Sequence, residues 1–77
     1  MNKTRRKQLS GIVDNLRDLM DELESVKNEE QEAFDNMPEG LQYSERGEVV
    51  GINIDSMDDA VSSLSDVIDA LTEIIEQ

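Results

Sequence analysis

Four of the seven basic residues of this chain, Lys3, Arg5, Arg6 and Lys7, crowd five consecutive positions near its start. A helix beginning there has its positive dipole end at the same place, so helix stability does not account for the cluster. Guanidinium and ammonium groups beside the free N–H groups of a first helical turn make an anion site. A plainer role competes. In an antiparallel hairpin this end lies beside Glu73, Glu76 and the C-terminal carboxylate, which would neutralise it. In a two-fold antiparallel dimer, the connection of one protomer reaches the Arg5/Arg6 end of the other. Tyr43, Ser44 and Arg46 would then join Arg5, Arg6 and Lys7 around a phosphate-bearing ligand. Tyr43 could offer its ring to a base or its hydroxyl to a phosphate. Equally, Tyr43 and Leu41 could simply cover the end of the hairpin.

Other chemistries find little support. There is no histidine and no cysteine, so nucleophilic catalysis would rest on Ser10, Ser25, Ser44, Ser56, Ser62, Ser63 or Ser65, and none has a lysine placed as its base. Carboxylates are plentiful but fall on helix faces open to water, where nothing raises a pKa. Asp55, Asp58 and Asp59 cluster without the glycine and distal glutamate of a calcium loop. A helix start favours such acids anyway. The expectation is a protein that is not an enzyme, with no metal and no cofactor.

The 77 residues carry 19 acidic against 7 basic side chains, a net charge of −12 that repels nucleic acid and anionic membrane. That charge reads either as a solvated surface or as an acidic mimic occupying a basic groove on a nucleic-acid-binding protein. No apolar run is long enough to span a bilayer, and the basic start lacks the apolar segment of a signal peptide. A cytoplasmic location is the default expectation. One small domain without disulfides has few means of stabilising itself, and self-association is the usual one.

The positioning elements come from periodicity. From Ile54 the residues Met57, Val61, Leu64, Ile68, Leu71 and Ile75 keep a 3-4-3-4 spacing, the seam of a helix packing on a helix. Ala60, Val67 and Ile74 add a row one residue earlier, so the stripe is too wide for one partner. The first helix repeats this with Leu9, Ile12, Leu16, Leu19, Leu23, Val26, Glu30, Ala33 and Met37, widened by Val13, Met20 and Phe34. Thr4 reads as its cap, Glu30 as a charge at a frayed end with a specificity device as the alternative, and Gly11 as a cost of ~1 kcal/mol that marks either a close backbone contact or nothing. Arg17 with Asp21 and Lys27 with Glu24 read as weak intrahelical pairs. Pro38 and Gly40 end the helix, and Ser44 caps the next. The stretch Glu48 to Ile54 is rich in β-branched residues, with Gly47 and Gly51 nearby, so residues 48–54 are read as helix with an extended segment as the alternative. In that alternative, Asp55 or Ser56 caps a shorter helix.

The run Asp35-Asn36-Met37-Pro38-Glu39-Gly40-Leu41-Gln42, followed by Ser44-Glu45-Arg46, resembles a linker in small helical-hairpin proteins of phages and prophages. Those proteins also open on an Arg-Arg-Lys helix, here Arg5 to Lys7, and end in an acidic heptad helix. Their second helix runs unbroken from the serine, whereas Gly47, Val49, Val50 and Gly51 depart from that pattern. The resemblance implies a mobile-element origin and an accessory role. Small acidic phage proteins often counter host defence, by sequestering a nucleotide signal or by blocking a defence protein.

The resulting expectation is an all-α single domain over residues 1–77: helix 4–36, linker 37–43, helix 44–76. Two such hairpins would form an antiparallel four-helix bundle or a higher assembly, with Leu9, Ile12, Leu16, Leu19, Leu23, Val61, Leu64, Ile68, Leu71 and Ile75 in the core. The leading function is a non-catalytic protein that sequesters a small anionic nucleotide at Arg5, Arg6, Lys7, Tyr43, Ser44 and Arg46. The alternatives are an acidic inhibitor binding a host defence protein through Asp18, Asp21, Glu22 and Glu29, and a structural adaptor. The expected partners are a second copy, a nucleotide ligand or that defence protein, with neither nucleic acid nor membrane bound directly.

Overall fold

A computed structural model describes all residues 1–77 as two long antiparallel helices joined by a short helical turn. Helix α1 spans Lys3–Asp35, α2 Glu39–Gln42 and α3 Glu45–Glu76. The rod measures 58 × 15 × 13 Å. No helix is long and apolar enough to cross a membrane.

The start of α1 is capped by Asn2 and not by Thr4: the Asn2 side-chain oxygen accepts from the Arg5 N–H at 2.9 Å. Residues 48–54 are helical throughout, and no shorter helix begins at Asp55 or Ser56. The β-branched residues carry only a weak local preference. Val50 and Ile54 fall on the seam of a 32-residue helix, and packing along that seam decides the matter.

Burial separates two apolar rows that periodicity merged. On α3 the seam from Ile54 is as expected, with Met57, Val61, Leu64, Ile68, Leu71 and Ile75 buried or half-buried, and the half-buried Val50 extends it toward the turn. On α1 the half-buried row is Arg6, Leu9, Leu16, Met20, Leu23, Lys27, Glu30 and Phe34, with Val13 fully inside, and Met37 just past the helix is half-buried too. Ile12 and Leu19, expected in the core, are 48% and 55% exposed, and Val26 is 51% exposed. The residues read as a widening row thus form the seam with Leu9, Leu16 and Leu23, while the Ile12 row faces outward. Only Val13, Ile54 and Ile68 qualify as buried apolar side chains.

The turn is held by backbone chemistry. Pro38 adopts φ −54°, ψ 143°, which stops α1 and starts α2. The Gln42 side-chain amide donates to the Phe34 carbonyl at 3.0 Å, beside the Met37 N–H that donates to the same oxygen at 3.1 Å, and so ties the turn to the end of α1. Gly47, the one other buried residue, lies where an added Cβ would run into the carbonyl oxygens of Leu41 and Gln42. It is a point of close backbone approach rather than a helix breaker.

Glycine substitutions separate these roles. Gly47→Ala should destabilise the protein by ~1–3 kcal/mol through overpacking against backbone. Gly11→Ala and Gly51→Ala, with nothing within 4 Å of the added carbon, should each stabilise it by roughly 1 kcal/mol. Urea unfolding followed by circular dichroism at one fixed protein concentration measures all three.

Candidate functional site

The candidate residues divide into two groups at opposite ends of the rod. Arg5, Arg6 and Lys7 occupy the first turns of α1 beside the chain termini, and Tyr43, Ser44 and Arg46 occupy the turn end. At ~1.5 Å per helical residue, the helices hold the groups about 50 Å apart. One hairpin does not bring them together.

Neutralisation of the basic end is not realised as ion pairing. The one ion pair is Lys27–Asp58, 3.0 Å, which crosses from α1 to α3. Lys27 therefore leaves Glu24, Arg17 does not pair with Asp21, and Lys3, Arg5, Arg6 and Lys7 have no acidic partner within 4.0 Å. Arg6 sits on the seam, its stem against the hairpin and its Nε buried without a hydrogen-bond partner. Arg5 and Lys7 stand exposed.

At the turn end, Ser44 is committed to structure. Its hydroxyl donates to the Leu41 carbonyl and accepts from the Gly47 N–H, so it caps α3 and is not free for a ligand. Tyr43 is 84% exposed and rests on nothing, which removes it as a cover for the hairpin's end. Arg46 is exposed and borders a cavity of about 300 Å³ lined by Glu30, Ala33, Phe34, Met37, Leu41 and Val50. Glu30 is therefore no frayed end: α1 continues past it to Asp35, and the half-buried Glu30, in no ion pair, lines a cavity whose other walls apart from Arg46 are apolar. Apolar walls suit a flat ring, the Arg46 guanidinium suits an anionic group, and the Glu30 carboxylate can accept from ring N–H groups. The volume lies at the small end of the ~300–1,000 Å³ usual for ligand pockets.

Heptad geometry defines the two sides of the hairpin. With Val13 and Ile54 at seam position a, the row one residue earlier on α1 is Arg5, Ile12, Leu19, Val26 and Ala33. On α3 it is Arg46, Asn53, Ala60, Val67 and Ile74. Ala33 and Arg46 line the same cavity, which places both rows on one side. The opposite side carries Gln31 and Asp58 around a polar groove of about 250 Å³. Each row on the apolar side is thus headed by an arginine, one at each end of the rod. Val49 and Ile52, 52% and 56% exposed, extend the apolar surface around α3 near the turn.

Charge is also uneven along the rod. Residues 20–65, the turn half, hold thirteen acidic and two basic side chains, a net −11. Residues 1–19 and 66–77, the terminal half, hold six acidic and five basic side chains, a net −1. No group of three or more carboxylates is placed to share a metal ion.

No protein-family model, curated protein or solved structure matches the chain.

Periodicity missed Glu30 as a cavity residue because a charge at a seam position reads as a defect until the turn folds over it. Ser44→Ala should cost ~1 kcal/mol of stability, and Ser44→Asp should recover part of it by accepting from the same N–H at the helix start. Denaturant midpoints for the two variants provide the check.

Proposed function

We propose that the chain is a non-catalytic binding protein that works as an oligomer of hairpins and sequesters a small anionic, nucleotide-type ligand. In a phage-encoded accessory protein, such an activity counters host defence by removing a signal. The observation that supports this reading is the turn-end cavity, where Arg46 borders the apolar walls of Phe34, Met37, Leu41 and Val50 and Glu30 contributes an acceptor. Arg46 and the unpaired Arg5, Arg6 and Lys7 are cations whose charge nothing in the hairpin uses. Ser44 serves the fold, so the ligand set narrows to Arg46 with Tyr43 beside it and the basic end supplied by another copy.

A second reading, an acidic inhibitor of a basic protein surface, is favoured by one observation. The turn half carries a net −11, with Asp21, Glu22 and Glu29 within it. Charge reversal separates the two readings. A charge-assisted hydrogen bond is worth ~1.5–3 kcal/mol, so losing one weakens binding by roughly tenfold or more.

Native mass spectrometry in the presence of linear and cyclic nucleotides should show one added ligand per subunit or per interface. Arg46→Glu and Arg5→Glu should each cut occupancy at least tenfold, while Asp21→Asn with Glu22→Gln should leave it unchanged. An oligomer that binds no nucleotide would move the assignment to the acidic surface.

A further inference from the structure

The hairpin, a rod of 58 × 15 × 13 Å, exposes more surface than a compact chain of its mass. A compact protein of 8.7 kDa exposes about 4,700 Å² by the usual size scaling. This chain exposes 5743 Å². The excess, about 1,000 Å², compares with the ~800 Å² that each partner contributes to a stable interface. Ile12, Leu19, Val26 and Val67 are each about half exposed on the outward apolar side. The opposite side is polar, so the apolar side is where a partner gains most.

We propose that a second copy of this chain covers this side end for end, so that the turn of each hairpin lies over the termini of the other. Charge fixes the orientation. Turn on turn would stack two halves of net −11, whereas reversal sets each against a half of net −1 that carries five cations. The apolar rows accept the reversal. Leu19 then faces the partner's Val26, Ile12 faces the partner's Ala33, and Ala60 faces the partner's Val67. These pairs share one two-fold axis. The Lys27–Asp58 contact sets the α1 midpoint level with the α3 midpoint to within about one residue, ~1.5 Å of rise.

The same register carries the partner's Arg5 about five residues of rise past the end of α1, level with Glu45 and Arg46, over the turn and beside the cavity that Arg46 borders. Each dimer therefore has two composite anion sites, each with Arg46 from one chain and Arg5 from the other. This second step rests on the nucleotide reading, whereas the docking itself does not.

The chain has no cysteine, so introduced thiols report the arrangement directly. Under mild oxidation the double variant Leu19→Cys, Val26→Cys should form a covalent dimer. Its two thiols sit ~10.5 Å apart along one helix, beyond the ~7 Å reach between the Cα atoms of a disulfide, so any bond joins two chains. Neither single variant should cross-link efficiently. A covalent dimer from Val26→Cys, Ala60→Cys instead, the pair that turn-on-turn stacking would bring together, overturns the orientation. Val26 and Ala60 are also level within one hairpin, so free thiols are counted in the second variant; failure of both pairs to join chains with those thiols still free overturns the docking face. Complementation then tests the sites apart from the docking. Arg5→Glu and Arg46→Glu proteins, each deficient alone, should regain about a quarter of the nucleotide occupancy of the unsubstituted protein when mixed in equal amounts and annealed, because about half the dimers are then mixed and half the sites in a mixed dimer keep both arginines. Cross-linking as expected without that recovery would retain the docking and reject the composite site.

Discussion

One geometric constraint organises this molecule: each long helix is apolar at about three positions in seven, and a single neighbouring helix covers only two. The hairpin satisfies the a and d rows of both helices, with Val13, Ile54 and Ile68 at the best-covered points. The third row of each helix is left on one side, Ile12, Leu19 and Val26 on α1 and Ala60, Val67 and Ile74 on α3. Hydrophobic burial scales with area removed from water, so this side is the largest unused source of stability in the chain. Only three apolar side chains are buried within the hairpin, so covering this side would add most to what offsets the conformational entropy of the chain.

The turn determines which row faces inward. Pro38 stops α1, Gln42 ties the turn to its end, Ser44 caps α3, and Gly47 lets the connecting backbone lie directly on the first turn of α3. These four residues fix the rotation of α3 relative to α1, and with it the sidedness of the hairpin. The linker is the most distinctive run in the chain, and its distinctiveness is largely explained by this capping chemistry. The turn-end candidate residues not committed to this capping are the exposed Tyr43 and Arg46, and Arg46 borders the cavity.

The helical hairpin was legible from residue spacing, down to the α3 seam and the Ser44 cap. The choice between the two apolar rows of α1 was not, because both repeat every seven residues and only the turn geometry distinguishes them. Residues 48–54 were ambiguous for a related reason: local β-branched preference competes with a seam visible only over the full helix. The candidate site was legible in part. Basic residues at helix starts stood out as electrostatically misplaced, and they remain unpaired. Ser44 looked available because a cap and a ligand contact use the same hydroxyl. Glu30 looked like a flaw because the cavity around it forms from Leu41, Arg46 and Val50, far along the chain.

The central claim is that the outward apolar side is covered in the working protein. Small-angle X-ray scattering tests it most directly, since one experiment yields both mass and length. The account predicts a mass of at least twice 8.7 kDa at micromolar concentration, with a rod length for the dimer close to the single hairpin's 58 Å. A particle of 8.7 kDa, fully helical and with a radius of gyration near 17.4 Å, would contradict it.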